Sequence, residues 1–358
     1  MEKNYQKIFH LLLTVALLLG CTLLLGRVLF SPVPASASTP EPMEVHFMDV
    51  GQGDATLVIC GGHAMLIDAG DATKGTAIQN YLQKQKITKL DYLILTHPDS
   101  DHIGGAPVII TKFIIERVFV SNFEKDNENY RKLIQSLDDK QIRPLTPKVN
   151  SIYTLGTASI TILAPGKEYD NPNDASIALL LKDGARSFLF TGDASEEAEK
   201  DLLETGVPIS ADVYKVGHHG SKYSTSGDFF RAVSPSYAVI SCGADNAYGH
   251  PHAETLNTLR TNGVMVYRTD EAGTIIASTD GRSITFNVPA SESWKAGEQT
   301  GTGTPSVTVK PAYVLNTKTQ KFHRPSCDSL PTVNRQDSSE SRESIIAQGY
   351  SPCKKCNP

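Results

Sequence analysis

Two imidazoles and two carboxylates are crowded into the six residues His97-Pro98-Asp99-Ser100-Asp101-His102, with Gly104-Gly105 close behind. Groups of these types held so near one another repel or compete for protons unless positive charge stands between them. A divalent cation, or a pair of them, is the simplest arrangement that satisfies all four. The stretch follows Leu90-Asp91-Tyr92-Leu93-Ile94-Leu95, an apolar run with the length of a buried strand. The polar groups therefore stand where a strand ends and the chain turns. Ser100 or Asp101 can cap a helix there, and the paired glycines let backbone approach closely.

More ligand-type residues fall at other predicted strand ends. Asp68 closes the run Ala64-Met65-Leu66-Ile67, and Asp193 ends Thr191-Gly192-Asp193 after Ser187 to Phe190. His218 and His219 stand in Gly217-His218-His219-Gly220-Ser221, after Asp212 to Val216. Asp174, in Asn173-Asp174-Ala175-Ser176, precedes a strand. Taken singly, each reads equally as a turn or cap residue, and a lone histidine more often packs than ligates. Their recurrence at strand ends is the argument for a site, because loops on a rigid scaffold carry chemistry.

The elements that must position these residues read as two similar halves. Strand patterns at 43–50, 54–60, 64–67, 90–95 and 117–120 accompany helical spacing at 76–86, 107–113 and 127–137. Strand patterns at 160–163, 177–181, 187–190, 212–216, 237–240, 264–267, 274–277 and 284–288 follow, with helices at 196–203 and 253–260. This predicts two sheets packed together with helices outside, a four-layer α/β sandwich, the last two strands belonging to the second sheet.

A chain of 358 residues has room for one large domain and a small module. Its net charge of -5 argues against a broad basic face, so any polyanion must be gripped locally by metals and a few Lys or Arg side chains. Lys3 and Lys7 precede an apolar run over 8–30, the layout of a secretory signal or an uncleaved membrane anchor, and Ala35-Ser36-Ala37 is a cleavage pattern. Leu18-Leu19-Gly20-Cys21 departs from a lipoprotein box through the bulky Leu19 and the apolar residues that follow. The expected organisation is export segment and spacer 1–42, main α/β domain 43–288, Ser/Glu/Gly/Thr-rich linker 289–310 and compact tail 311–358. Expected placement is extracytoplasmic, with membrane contact only through the N-terminal segment.

Cys60 and Cys242 lie beside apolar runs and read as core thiols. In the tail, His323-x-x-x-Cys327 and Cys353-x-x-Cys356 supply one imidazole and three thiolates at structural-zinc spacing. A tail this short builds little core, so metal would supply its folding energy. A disulfide is the rival reading in an exported chain.

Thr96 through Gly105 resembles the signature of the metallo-β-lactamase superfamily, with Asp99 where the second His usually stands. Asp49-Val50-Gly51-Gln52-Gly53-Asp54-Ala55, Thr191-Gly192-Asp193 and Lys215-Val216-Gly217-His218-His219-Gly220-Ser221 are similar to the hydrolase domain of ComEC-type competence proteins, over 43–288. The resemblance implies an αββα sandwich with two divalent ions. His97 and Asp99 would hold one, Asp101 and His102 the other, with Asp193 bridging and His218 joining the second. Asp174 falls where a His ligand is usual, and Asp54 and Asp68 would orient His97 and His102. The added aspartates make manganese as suitable as zinc. Asp101, Asp193 and His219 are the candidate catalytic groups, while His219, His250 or His252 could donate a proton or contact phosphate. Lys215 and Lys222 either orient an anion or are ordinary solvated lysines. Tyr313-Val314-Leu315-Asn316, Phe322-His323 and Gly349 to Cys353 resemble the metal-binding domain of Ada-type DNA-repair proteins, with His323 where that family has Cys.

The expectation is therefore an exported, metal-dependent phosphodiesterase or nuclease acting on DNA. Hydrolysis of cell-wall phosphodiesters, such as phosphorylcholine or teichoic-acid esters, is the enzymatic alternative. A non-catalytic DNA-binding surface protein is the alternative from another class, disfavoured by a nearly complete ligand set. No protein partner follows from the sequence.

Overall fold

The computed structural model describes residues 42–297, 313–325, 327, 329–338 and 342–356. The expected export segment lies outside these residues. Among the described residues no helix is long and apolar enough to cross a membrane. The chain divides into two compact units, with the boundary between Gln299 and Thr300.

In the first unit, β1 (Met43–Phe47), β2 (Thr56–Cys60), β3 (His63–Ile67), β4 (Lys89–Leu95) and β5 (Ile114–Val120) begin one sheet. The second contains β6 (Ile152–Leu155), β7 (Ala158–Ala164), β8 (Ala178–Asp183), β9 (Arg186–Phe190), β10 (Val213–Lys215), β11 (Tyr237–Ile240) and β12 (Met265–Arg268). The chain then returns: β13 (Ile275–Thr279) and β14 (Ile284–Phe286) complete the first sheet in the order β14-β13-β1-β2-β3-β4-β5. The expectation that these two strands join the second sheet is thus corrected. Val45 lies opposite Ala277 in an antiparallel pair, and Ile275 and Ala277 enter the same core as Met43, Val45 and Phe47. A β1 left at the sheet edge would leave a row of backbone N–H and C=O groups unpaired, and β13 pairs them.

Period-two alternation sorts the side chains between layers. Leu179 and Leu181 of β8 point into the inter-sheet core with Phe188 and Phe190, and Phe190 stacks on Phe47 at 6.1 Å. Leu180 and Leu189 face the other way, against Leu202, Phe229, Leu256 and Leu259. These come from helices Glu196–Glu204, Gly227–Val233 and Ala253–Thr261. On the opposite side Leu66, Leu93 and Leu95 meet Ile78, Leu82, Ile109 and Leu133 from helices Gly75–Lys84, Ala106–Lys112 and Glu128–Asp139. Helix, sheet, sheet and helix layers result. Each fully buried Leu or Phe contributes on the order of 2–3 kcal/mol.

β3 runs parallel to β4, and β9, β10 and β11 run parallel to one another. Their C-terminal ends are therefore brought together within each sheet, and the ligand-type residues follow those ends.

The linker boundary moves. Ser291 N–H donates to Val266 O at 2.7 Å, Gly297 N–H donates to Pro251 O at 2.9 Å, and Trp294 and Ala296 pack on the second helical layer. The Arg260 guanidinium stands 5.9 Å from the Trp294 ring centre. A Ser/Glu-rich composition hides these few anchors, so 289–297 belongs to the first unit.

The second unit is a small sheet of β15 (Tyr313–Asn316), β16 (Lys321–His323), β17 (Arg335–Ser338) and β18 (Ser351–Pro352), ordered β17-β15-β16-β18. Leu315, Phe322 and Ile345 are its buried apolar cluster, flanked by Tyr313 and Tyr350.

Candidate metal centre

Asp68, at the end of β3, adopts φ 58°, a left-handed conformation that aspartate tolerates better than most residues. Its Oδ1 accepts Thr96 N–H at 2.8 Å, and its Oδ2 accepts the Thr96 hydroxyl at 2.8 Å and His102 Nδ1 at 2.9 Å. Thr96 Oγ1 has one proton and gives it to Asp68, so it accepts from His97 Nδ1, 3.1 Å away. His219 Nδ1 donates to Ser241 O at 3.0 Å. All three rings thus spend Nδ1–H on fixed acceptors and present Nε2 to the interior, the tautomer that suits a metal ligand.

Those nitrogens converge on one carboxylate. Asp193 Oδ2 lies 3.3 Å from His219 Nε2, 3.4 Å from His102 Nε2, 3.7 Å from His218 Nε2 and 3.9 Å from His97 Nε2. His219 Nε2 is also 3.3 Å from Asp101 Oδ2 and 3.3 Å from His102 Nε2. His97 Nε2 and Asp193 Oδ1 are buried with no hydrogen-bond partner. Buried polar atoms in native folds are nearly always satisfied, so this set fits divalent cations.

The backbone explains the convergence. Neighbouring side chains ordinarily diverge, yet His218 and His219 both adopt left-handed φ, 50° and 55°, so both face Asp193. The turn is pinned by His218 N–H to Gly192 O at 3.1 Å and by Gly217 N–H to the Tyr214 hydroxyl at 3.1 Å. Gly53 has φ 128°, and a Cβ there would fall 2.4 Å from Asp101 O. Its absence lets Asp54 N–H reach that carbonyl at 3.1 Å.

Electrostatics follow from burial and crowding. Burial opposes ionisation of Asp193, but the imidazoles of His219, His102 and His218 outweigh it and hold the carboxyl well below the usual range. Burial likewise disfavours charge on His102 and His219, yet Asp193, with Asp68 and Asp54 respectively, raises both well above an ordinary imidazole. Burial lowers His97, helped by His102, and burial also lowers His218.

Several expected roles change. His219, not His218, is the ring in direct contact with both Asp101 and His102, while His218 Nε2 lies 3.7 Å from Asp193 Oδ2. Asp99 is engaged by Lys125 Nζ at 2.6 Å. Asp174 accepts Ser195 N–H at 2.9 Å, bracing the loop that carries Asp193, and among the described residues no ion pair or hydrogen bond joins it to the cluster. Lys215 is buried and donates to Asp54 Oδ2 at 2.6 Å, so it is not a solvated anion holder. Asp54 Oδ1 lies 3.3 Å from His219 Nδ1, so Asp54 serves His219. Asp68 serves His102 directly and His97 through Thr96. The His250 ring centre stands 5.6 Å from that of His218, whereas His252 Nδ1 accepts Lys222 N–H and so caps a turn. The roles of Thr96 and Lys125 beside the site are not legible in the sequence. Thr96 is legible only as the residue before His97, and nothing local marks Lys125. Ser241 acts through its carbonyl, which no residue type announces.

In the second unit, ligand atoms of His323, Cys327, Cys353 and Cys356 all lie within 4.8 Å of one another. His323 Nδ1 is 3.5 Å from Cys327 Sγ, and Arg324 N–H donates to Cys356 Sγ at 3.4 Å. Backbone N–H groups of Cys356 and Lys355 lower the Cys353 thiol pKa. The cysteines of the described residues are free thiols. One imidazole and three thiols in this geometry fit a tetrahedral zinc ion.

The sequence pattern of the Metallo-beta-lactamase superfamily matches residues 48–244, more than half of the chain and the whole ring around Asp193. The chain belongs to that superfamily. It is 31% identical over 265 residues to ComE operon protein 3 of Bacillus subtilis, covering 68% of this chain and 34% of the relative. It is 32% identical over 237 residues to Recombination protein 2 of Haemophilus influenzae, covering 65% and 28%. Competence protein ComA of Neisseria gonorrhoeae is 31% identical over 260 residues, 71% of this chain and 34% of that protein. The chain thus spans about a third of the length of these curated relatives. The four-layer architecture is the superfamily's αββα sandwich, and the homologues match the ComEC-type domain expected from the motifs.

Proposed function

We propose that this chain is a metal-dependent phosphodiesterase that cleaves DNA on the outer side of the membrane, with its N-terminal segment directing export. The carrying observation is the Asp193 carboxylate ringed by four imidazole Nε2 atoms, with His97 Nε2 and Asp193 Oδ1 unsatisfied. The competence relatives add the choice of DNA as substrate. In this reading Asp101, His102 and His219 would hold one divalent ion and His97 and His218 a second, with Asp193, within 3.9 Å of all four imidazole Nε2 atoms, available to either. Asp99, which Lys125 Nζ engages at 2.6 Å, would be the further carboxylate of the second set. When bound, the ions, manganese or zinc, supply Lewis-acid chemistry that eases deprotonation of water and stabilises charge on a phosphoryl centre.

The chain's own residues do the remaining work. Thr96 and Asp68 lock the His97 and His102 tautomers, and Ser241 O locks that of His219, with Asp54 Oδ1 3.3 Å from the same nitrogen. Lys215 neutralises Asp54, so the added carboxylate does not overload a buried cluster. In the tail, a structural zinc on His323, Cys327, Cys353 and Cys356 would stabilise a module whose buried apolar cluster, among the described residues, is Leu315, Phe322 and Ile345.

The test incubates purified protein, with manganese or zinc, against single- and double-stranded DNA, bis-p-nitrophenyl phosphate and a phosphorylcholine ester. Endonucleolytic or exonucleolytic DNA products are expected. Turnover of the small diesters without any DNA cleavage overturns the nuclease reading and favours cell-wall esters. Binding of DNA without turnover of any ester favours the non-catalytic alternative.

A further inference from the structure

The motif Asp49-Val50-Gly51-Gln52-Gly53-Asp54 contributes more to the site than Asp54. Asp49 Oδ1 accepts Gly51 N–H at 3.0 Å, and the loop lies against the segment that follows β11. A Cβ on Gly243 would fall 2.6 Å from Gln52 N, so only glycine admits this approach.

Gly243 N–H can only donate, and it donates to the Gln52 side chain at 3.3 Å, which fixes that atom as Oε1. The other end of the amide is therefore the NH2 group, and it faces His250 Nδ1 at 3.4 Å. Nδ1 must accept, so the proton of this neutral ring resides on Nε2. Both the backbone and the ring of His250 are held. Asn246 Nδ2 donates to His250 O at 2.6 Å, His250 N–H donates to Asn246 Oδ1 at 3.0 Å, and Tyr248 stacks on the imidazole at 5.5 Å between centroids. His250 is buried beside the centre, 5.6 Å from the His218 ring and 6.1 Å from that of His219. Among the described residues no protein group accepts from its Nε2. A tautomer set by a dedicated amide, on an immobilised ring with an unclaimed N–H, is a prearranged hydrogen-bond donor.

We propose that Gln52 sets His250 as an Nε2–H donor to a phosphoryl oxygen of the substrate, with Gln52 the positioning residue and His250 the group that touches substrate. This rests on the phosphodiesterase reading for its ligand, but the tautomer does not. A glutamine at position 250 can replace the imidazole Nε2–H with an amide N–H, whereas alanine cannot.

The experiment uses the full chain with its metals. His250→Ala should lower kcat on bis-p-nitrophenyl phosphate about 100- to 1000-fold with a small change in KM, and His250→Gln should stay within about tenfold of the wild type. Side-chain nitrogen NMR should find His250 as the Nε2–H tautomer in the wild type and as a mixture in Gln52→Leu. Inorganic phosphate should shift the Nε2–H signal in the wild type. An Nδ1–H tautomer in the wild type, equal losses in His250→Ala and His250→Gln, or no response to phosphate overturns the inference. If the wild type hydrolyses no phosphodiester, the proposed function fails by itself, and the tautomer and phosphate measurements still decide the role of His250.

Discussion

His102 Nε2 and His219 Nε2 face each other at 3.3 Å, each 3.3–3.4 Å from Asp193 Oδ2. Two ring nitrogens so placed can share one proton or flank a cation, and their Nδ1 atoms are already committed to Asp68 and Ser241. Asp193→Asn should therefore abolish binding of both catalytic ions while leaving the tail's ion in place. Elemental analysis of the dialysed protein checks this, and a variant that keeps the wild-type metal content removes Asp193 from the shared position.

Asp68 acts one step back. Asp68→Ala frees two rings at once, through His102 Nδ1 and through the Thr96 hydroxyl. Outer partners of this kind are worth roughly 10- to 100-fold in metal affinity. Competition titration with a chromogenic chelator should find at least that loss, and unchanged affinity would deny Asp68 its orienting role.

Lys125 competes for Asp99. Lys125→Ala removes the ammonium 2.6 Å from the Asp99 carboxylate. The expected result is metal binding tighter by roughly threefold to tenfold, as an opposing fixed charge is removed. The companion Asp99→Asn should cancel the gain, and equal affinity in all three proteins would place Asp99 outside the ligand set.

Glu199 introduces a pH dependence away from the ligands. Burial pushes its carboxyl from the ordinary 4.5 up to about 7, despite N–H bonds from Ser226 and Thr225. Between those values the unfolded chain has lost a proton that the folded chain keeps, so stability falls as pH rises. The effect is absent below the unfolded pKa, accumulates to roughly 3 kcal/mol, and is flat above the folded one. Calorimetry of wild type and Glu199→Gln between about pH 4.5 and 8 should show the difference in stability moving in the variant's favour, and parallel curves would contradict it.

The tail should depend on its ion. Cys353→Ser or a strong chelator is expected to collapse amide dispersion for residues 313–356 while the sandwich signals persist. Retained dispersion without metal would show that the small cluster of Leu315, Phe322 and Ile345 suffices.

The sequence reveals the strands well where alternation is clean, and the recurrence of His and Asp after strands places Asp68, His97, His102, Asp193 and His219 near one centre. It does not reveal which of His218 and His219 meets Asp101, because that depends on two successive left-handed residues. Asp99 is a ligand type by motif, but its partner Lys125 comes from a loop with no pattern of its own. Lys215 reads as a neighbour of the site, but its partner is not legible, because the buried counter-charge, Asp54, lies 161 positions earlier. The return of β13 to the first sheet is equally silent, since apolar alternation names a face and not a neighbour.

That return has a consequence for biogenesis. β1 is flanked on one side by β2 and on the other by a strand more than two hundred residues later. A nascent chain emerging N-terminus first must hold β1 with one ladder open until residues 275–279 have been made. During that interval an apolar strand presents unpaired N–H and C=O groups, so a truncation before Ile275 should aggregate through that seam.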